Sequence, residues 1–127
     1  MFKILLVEDN LDYRSALNNA LLKRYADLET SETSDVRDTL VVVDSYLPDL
    51  VIMDINLKCD VNGLDLTKTI TSIYPEIVVV ILSQHDIPEY RSAAKLNGAD
   101  FFLSKSSSLE SIFDYVDSIF LRNLELH

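Results

Sequence analysis

The chain has 127 residues, a formal net charge of −10 and 48% hydrophobic residues. That is enough apolar material for one domain with a real core, and the acidity argues against these residues gripping nucleic-acid phosphates. Cys59 is the one cysteine, which excludes an internal disulfide.

The first element is the apolar run Lys3–Val7, the pattern of a strand buried on both faces. Glu8 and Asp9 end it too soon for a signal peptide, and no window approaches the roughly 20 apolar residues of a membrane span. The expected location is therefore cytoplasmic. Helical spacing follows from Leu11 to about Tyr25, with Leu11, Ala16, Leu17, Ala20 and Leu21 on one side. Asp27–Thr33 reads as a weak strand. Ser34–Tyr46 reads as a helix with Ser34 as N-cap and Asp35 in its first turn. Leu50–Met53 is a buried strand carrying Asp54 at its end, and Lys58–Gly63 is a loop. Leu64–Tyr74 is a helix stopped by Pro75. Ile77–Leu82 is a strongly apolar strand with Ser83 at its end. Ile87–Asn97 is a helix, with Pro88 in its first turn and Gly98 as its C-terminal cap. Asp100–Ser104 is a fifth strand, followed by Lys105. A last helix runs from Leu109 to about Leu124.

Strands alternating strictly with helices imply an α/β fold with a five-stranded parallel sheet covered on both faces by five helices. Right-handed crossovers favour a flavodoxin-like, doubly wound order 2-1-3-4-5. In such sheets sites form at the carboxyl ends of the strands, near the point where strand order reverses. Those ends carry Glu8 and Asp9, Asp54, Ser83 and Lys105. Three clustered carboxylates repel one another and call for a hard divalent cation such as Mg2+. Aspartate can act as a nucleophile and form an acyl phosphate. A lysine supplies a point charge for a phosphoryl oxygen or, without phosphate, a partner for Asp54, and a serine supplies a hydrogen-bond donor. Taken singly, each of these residues also has a plain reading: Glu8-Asp9-Asn10 as a helix-capping cluster, Asp54 and Ser83 as ordinary strand-end groups, Lys105 as a surface lysine.

The segments VEDN at 7–10, PDLVIMDINL at 48–57, VVVILSQHD at 78–86 and GADFFLSKS at 98–106 resemble, in order and spacing, the receiver domains of two-component response regulators. The resemblance covers essentially the whole chain, so residues 1–127 are expected to be one receiver domain with no output domain among them. It implies that Asp54 is the phosphoacceptor, and that Glu8, Asp9, Asp54 and the backbone carbonyl of Asn56 hold Mg2+, with Glu8 acting through water. It implies that Ser83 and Lys105 contact the phosphoryl group. Ser83 and Phe102 are then the switch pair, with Phe102 moving between buried and exposed positions. Gln84 and His85, with Asn56, flank the site and tune water access. Of the adjacent Phe101 and Phe102, which must face opposite ways on a strand, one belongs to the core. The phosphoryl donor is a phosphohistidine on a sensor histidine kinase or phosphotransfer protein, or a small phosphodonor. The face built from the fourth helix, fifth strand and fifth helix is the one that changes, to control an output domain or partner and through it transcription. Whether phosphorylation makes a homodimer stays open; no nucleic-acid or membrane contact is expected of this domain.

Three features depart from the usual receiver pattern. Lys58 stands where a proline is frequent, with Gly63 one residue later than the usual glycine, so the loop after Asp54 is longer. Ser106, not proline, follows Lys105, so no cis peptide is expected there. Phe102 lacks the hydroxyl of the commoner tyrosine. The Lys105-Ser106 join, with the flanking PEIVVVILSQHD and PEYRSAAKLNGADFFLSK, looks most like receivers attached to LuxR-type helix-turn-helix outputs. Against the phosphorylation switch stand a flavodoxin-like cofactor domain, for which there is no glycine-rich phosphate loop, and a haloacid-dehalogenase-type phosphatase, for which Asn56 replaces the needed second aspartate. A pseudo-receiver that binds partners without being phosphorylated is the remaining alternative.

Overall fold

The computed structural model describes residues 1–55, 62–106 and 109–125, with side chains to residue 122. Asn56, Cys59 and the rest of the long loop after β3 therefore lie outside the described residues. The elements alternate without exception: β1 (Phe2–Val7), α1 (Leu11–Arg24), β2 (Leu28–Thr33), α2 (Val36–Tyr46), β3 (Leu50–Asp54), α3 (Gly63–Ile73), β4 (Val78–Ser83), α4 (Pro88–Leu96), β5 (Phe101–Ser104) and α5 (Leu109–Glu125). All pairings are parallel, in the order β2-β1-β3-β4-β5. The register sets Val7 against Met53, Asp54 against Leu82, and Ser83 against Ser104. The carboxyl ends of four strands thus finish level with one another.

Strand alternation divides the interior into two cores. Ile4 and Leu6, Leu50 and Ile52, Val80 and Leu82, and Leu103 face α1 and α5, meeting Leu17, Leu21, Ile112, Val116 and Ile119. Leu5 and Val7, Val51 and Met53, Val79 and Ile81, and Phe102 face α2, α3 and α4, meeting Val43, Leu66, Ile70 and Ala94. Every residue of β3 is buried, as its unbroken apolar run requires.

Helix starts follow side-chain capping. Asn10, Asp35 and Asn62 each accept a hydrogen bond from backbone N–H groups of the first turn of α1, α2 and α3. At α2 the cap is therefore Asp35, not Ser34: the aspartate carboxylate reaches the Asp38 N–H at 2.8 Å. Pro88 opens α4, and Gly98 takes a positive φ of 94° just beyond it, as expected of a helix-ending glycine. The inward line of α1 also differs from the expected one. Leu11 is 60% exposed and Ala16 is exposed, while Tyr13 joins Leu17 and Leu21 against the core.

Candidate functional site at the carboxyl edge of the sheet

Glu8 continues the alternation of Ile4 and Leu6, and Asp54 that of Leu50 and Ile52, so both carboxylates project toward the α1 side. Both are buried. Carboxylate oxygens of Glu8, Asp9 and Asp54 all lie within 4.8 Å of one another. Burying anions this close requires compensating positive charge. Lys105 supplies part of it: its ammonium hydrogen-bonds Glu8 Oε1 and lies 3.5 Å from Asp54 Oδ1. The Lys105 backbone N–H donates to the Ser83 carbonyl at 2.7 Å, which pins the lysine to the end of β4. The Lys105–Ser106 peptide is trans.

The second carboxylate oxygen of Glu8 is buried and finds no hydrogen-bond partner among the described residues. A buried acceptor left in this state costs about 1–3 kcal/mol unless water or a cation satisfies it. Glu8, Asp9 and Asp54 together offer three hard oxygen donors, which match what Mg2+ accepts. The residues present therefore fit a divalent cation.

Two residues overlooked in the sequence complete the site. Tyr13 lines the small cavity beside Glu8, Asp54 and Lys105, and its ring centroid lies 4.7 Å from the Lys105 ammonium. Burial, then the charges of Glu8 and Asp54, push its phenol up to about 12, so it stays neutral. Arg14 donates from Nη1 to the Glu8 carbonyl at 2.8 Å and pairs with Glu32 at 3.2 Å, tying α1 to the ends of β1 and β2. The signal for both lay one helical turn past the acidic pair, on the face that α1 turns toward the strand ends.

Of the remaining expected residues, Phe102 and, by alternation with Ile81, Ser83 face the opposite side of the sheet. Ser83 is fully buried; its hydroxyl accepts from the His85 N–H and donates to the His85 carbonyl, both at 3.1 Å. Gln84 and His85 are exposed on the loop after β4, where the His85 ring lies 6.4 Å from that of Tyr90. Phe102 is 6% exposed and is the core member of its pair, whereas Phe101, 45% exposed, stacks on Tyr115. The Arg91 guanidinium lies 4.8 Å from the Phe102 ring, and Asp86 holds that guanidinium with two hydrogen bonds. Asn56 lies outside the described residues.

Among the described residues no helix is long and apolar enough to cross a membrane. The chain is similar over its length to known proteins of one kind. The response regulator receiver domain family matches residues 4–117. A transcriptional regulatory protein, DegU of Brevibacillus brevis, is 26% identical over 114 residues, covering 90% of this chain and 48% of that protein. A two-component response regulator from Clostridium difficile superposes with a TM-score of 0.88 at 22% identity, covering 96% of this chain and 98% of that one. A LuxR-family response regulator from Aurantimonas sp. SI85-9A1 superposes with a TM-score of 0.85 at 22% identity, covering 92% and 83%. The chain spans about half the length of curated relatives such as DegU. With the family match running over all but the ends of the chain, this protein belongs to the response regulator receiver domains of two-component systems.

Proposed function

We propose that residues 1–127 form a single receiver unit that accepts a phosphoryl group on Asp54 and changes its surface in response. The observation that carries this reading is the convergence of Glu8, Asp9, Asp54 and Lys105 at one edge of the sheet. An Asp54 carboxylate oxygen bonds to phosphorus while the bond from phosphorus to the donor breaks. The donor atom is an imidazole nitrogen of a phosphohistidine on a sensor kinase or phosphotransfer protein, or an acyl oxygen of a small phosphodonor. That leaving atom keeps the electron pair. Glu8, Asp9 and Asp54, with the Asn56 carbonyl, would hold Mg2+, which when bound supplies positive charge toward the phosphoryl oxygens. Lys105 exchanges its carboxylate contacts for a phosphoryl oxygen. Gln84 and His85 at the rim set the access of water and so the lifetime of the acyl phosphate.

Phosphorylation adds about −1.5 to −2 charge and strong acceptors. The Ser83 hydroxyl then leaves the His85 backbone for the phosphoryl group, and Phe102 moves into the space this opens. The α4–β5–α5 face changes shape with it. In a longer cytoplasmic protein this face would control an output domain; relatives such as DegU carry the name of transcriptional regulatory proteins.

The test is incubation with acetyl phosphate and Mg2+, followed by intact mass. The wild-type chain gains one phosphoryl group, Asp54→Asn gains none, and chelating the metal abolishes the gain. No gain by the wild type, under conditions that load other receivers, would overturn the reading in favour of an interaction module that is not phosphorylated.

A further inference from the structure

We propose that Tyr13 is a positioning residue for phosphoryl transfer: its ring face holds the Lys105 ammonium at the mouth of the carboxylate cluster. This rests on the reading of Asp54 as phosphoacceptor. Lys105 arrives on a long flexible stem from the end of β5, and its side chain is only 12% exposed. Its ammonium meets Glu8 on one side, Asp54 on another and the Tyr13 ring at 4.7 Å. The two carboxylates alone do not fix the position of the ammonium. Both are expected to turn toward a cation when one binds, and Asp54 becomes an acyl phosphate on reaction, so both contacts weaken at the moment the lysine is needed. The ring contact does not depend on either event. It offers a negative π-face to a cation removed from water, where such contacts are strongest. Tyr13 is itself fixed: its N–H bonds the Asn10 cap at 3.0 Å, and its ring packs against the core shared by Leu6, Leu17, Ile52 and Leu82. A cation held near its productive place before reaction lowers the barrier, because no reorganisation remains to be done.

The experiment is the rate of acyl-phosphate formation from acetyl phosphate with Mg2+, followed by intact mass at rising donor concentration. Tyr13→Leu keeps apolar bulk and removes the π-face. It is expected to lower the maximal rate about five- to tenfold with little change in the half-saturating donor concentration. Tyr13→Phe keeps the face and retains the rate that leucine loses. In a Lys105→Ala background the leucine substitution has no further effect, because a shared role makes the two changes non-additive. Equal slowing with and without Lys105, or no slowing by leucine, overturns the proposal. A wild type that does not load at all defeats the phosphorylation reading instead. The contact is then read by NMR, where the methylene protons next to the Lys105 ammonium shift upfield over the ring in wild type and Tyr13→Phe and return in Tyr13→Leu. Absence of that upfield shift in the wild type overturns the proposal independently of loading or of the stability of the variant.

Discussion

Gly63 shows how one residue without a side chain holds the acidic edge in place. It begins α3, donates from its N–H to the Ile55 carbonyl at 2.8 Å, and passes so close to β3 that a Cβ would run into the Asp54 carbonyl. Any substitution must push α3 and the end of β3 apart. Gly63→Ala is expected to cost about 1–3 kcal/mol, seen as a lower midpoint in urea unfolding, and to slow phosphoryl loading because Asp54 shifts with its backbone. An alanine variant as stable as wild type would contradict this packing. The sequence places this glycine one residue late for its family, and the close approach explains why a glycine is needed at the start of the helix whatever the length of the loop. Tyr13 and Arg14 were not legible in the same way. A tyrosine scores as neither clearly apolar nor charged, so the inward line of α1 reads through Leu11 and Ala16 instead. The Lys105–Glu8 contact joins residues 97 apart in the chain, and no local pattern announces which of several carboxylates a lysine will choose.

The segment from β4 into α4 is where one element reports to another. Ser83 is tied to the His85 backbone, Asp86 next to it grips Arg91, and Arg91 covers the Phe102 ring. The Arg91–Asp86 pair is about half exposed, and pairs of that kind contribute little to stability. Arg91→Ala should therefore cost little through the ion pair, its loss of unfolding free energy being no more than that of the ring contact. Its effect belongs to Phe102: losing a cation–π contact of about 0.5–1 kcal/mol raises the population of the outward ring about two- to fivefold. NMR of a ring-labelled Phe102 reads this directly; an unchanged rotamer distribution would mean that core packing alone holds the ring. The elements themselves were legible because buried parallel strands read as continuous apolar runs, and Pro88 and Gly98 mark both ends of α4. Strand parity was read only for Phe101 and Phe102; the structure extends it, with Ser83 and Phe102 on one side of the sheet and Glu8 and Asp54 on the other. The Asp86–Arg91 grip was not legible, since its meaning depends on a ring eleven residues past Arg91 that only the β4–β5 pairing brings under α4.

At the scale of the whole molecule, the alternation of β and α units was sufficient to derive the strand order, because right-handed crossovers leave few ways to cover both faces of a parallel sheet. The same two-sided packing leaves tyrosines from separate elements partly buried. Tyr25 at the end of α1, Tyr46 at the end of α2 and Tyr115 in α5 each have a phenol pushed up to about 12 from an ordinary 10.0, in every case first by burial. The next cause is the hydrogen bond to Asp117 at Tyr25, the charge of Glu29 at Tyr46, and the charge of Asp100 at Tyr115. A group whose pKa is raised by folding binds its proton more tightly in the native state. Its contribution is complete below the unfolded value and is lost as pH rises through the folded one. The window is therefore pH 10 to 12, and with Tyr13 four tyrosines act in it together. The urea unfolding midpoint should therefore fall as pH rises through that window, and fall less when Tyr25, Tyr46 or Tyr115 is replaced by phenylalanine. A midpoint unchanged between pH 10 and 12 would show that these rings meet solvent in the folded chain as they do in the unfolded one. The two-sided packing of the sheet would then be looser than its buried side chains indicate.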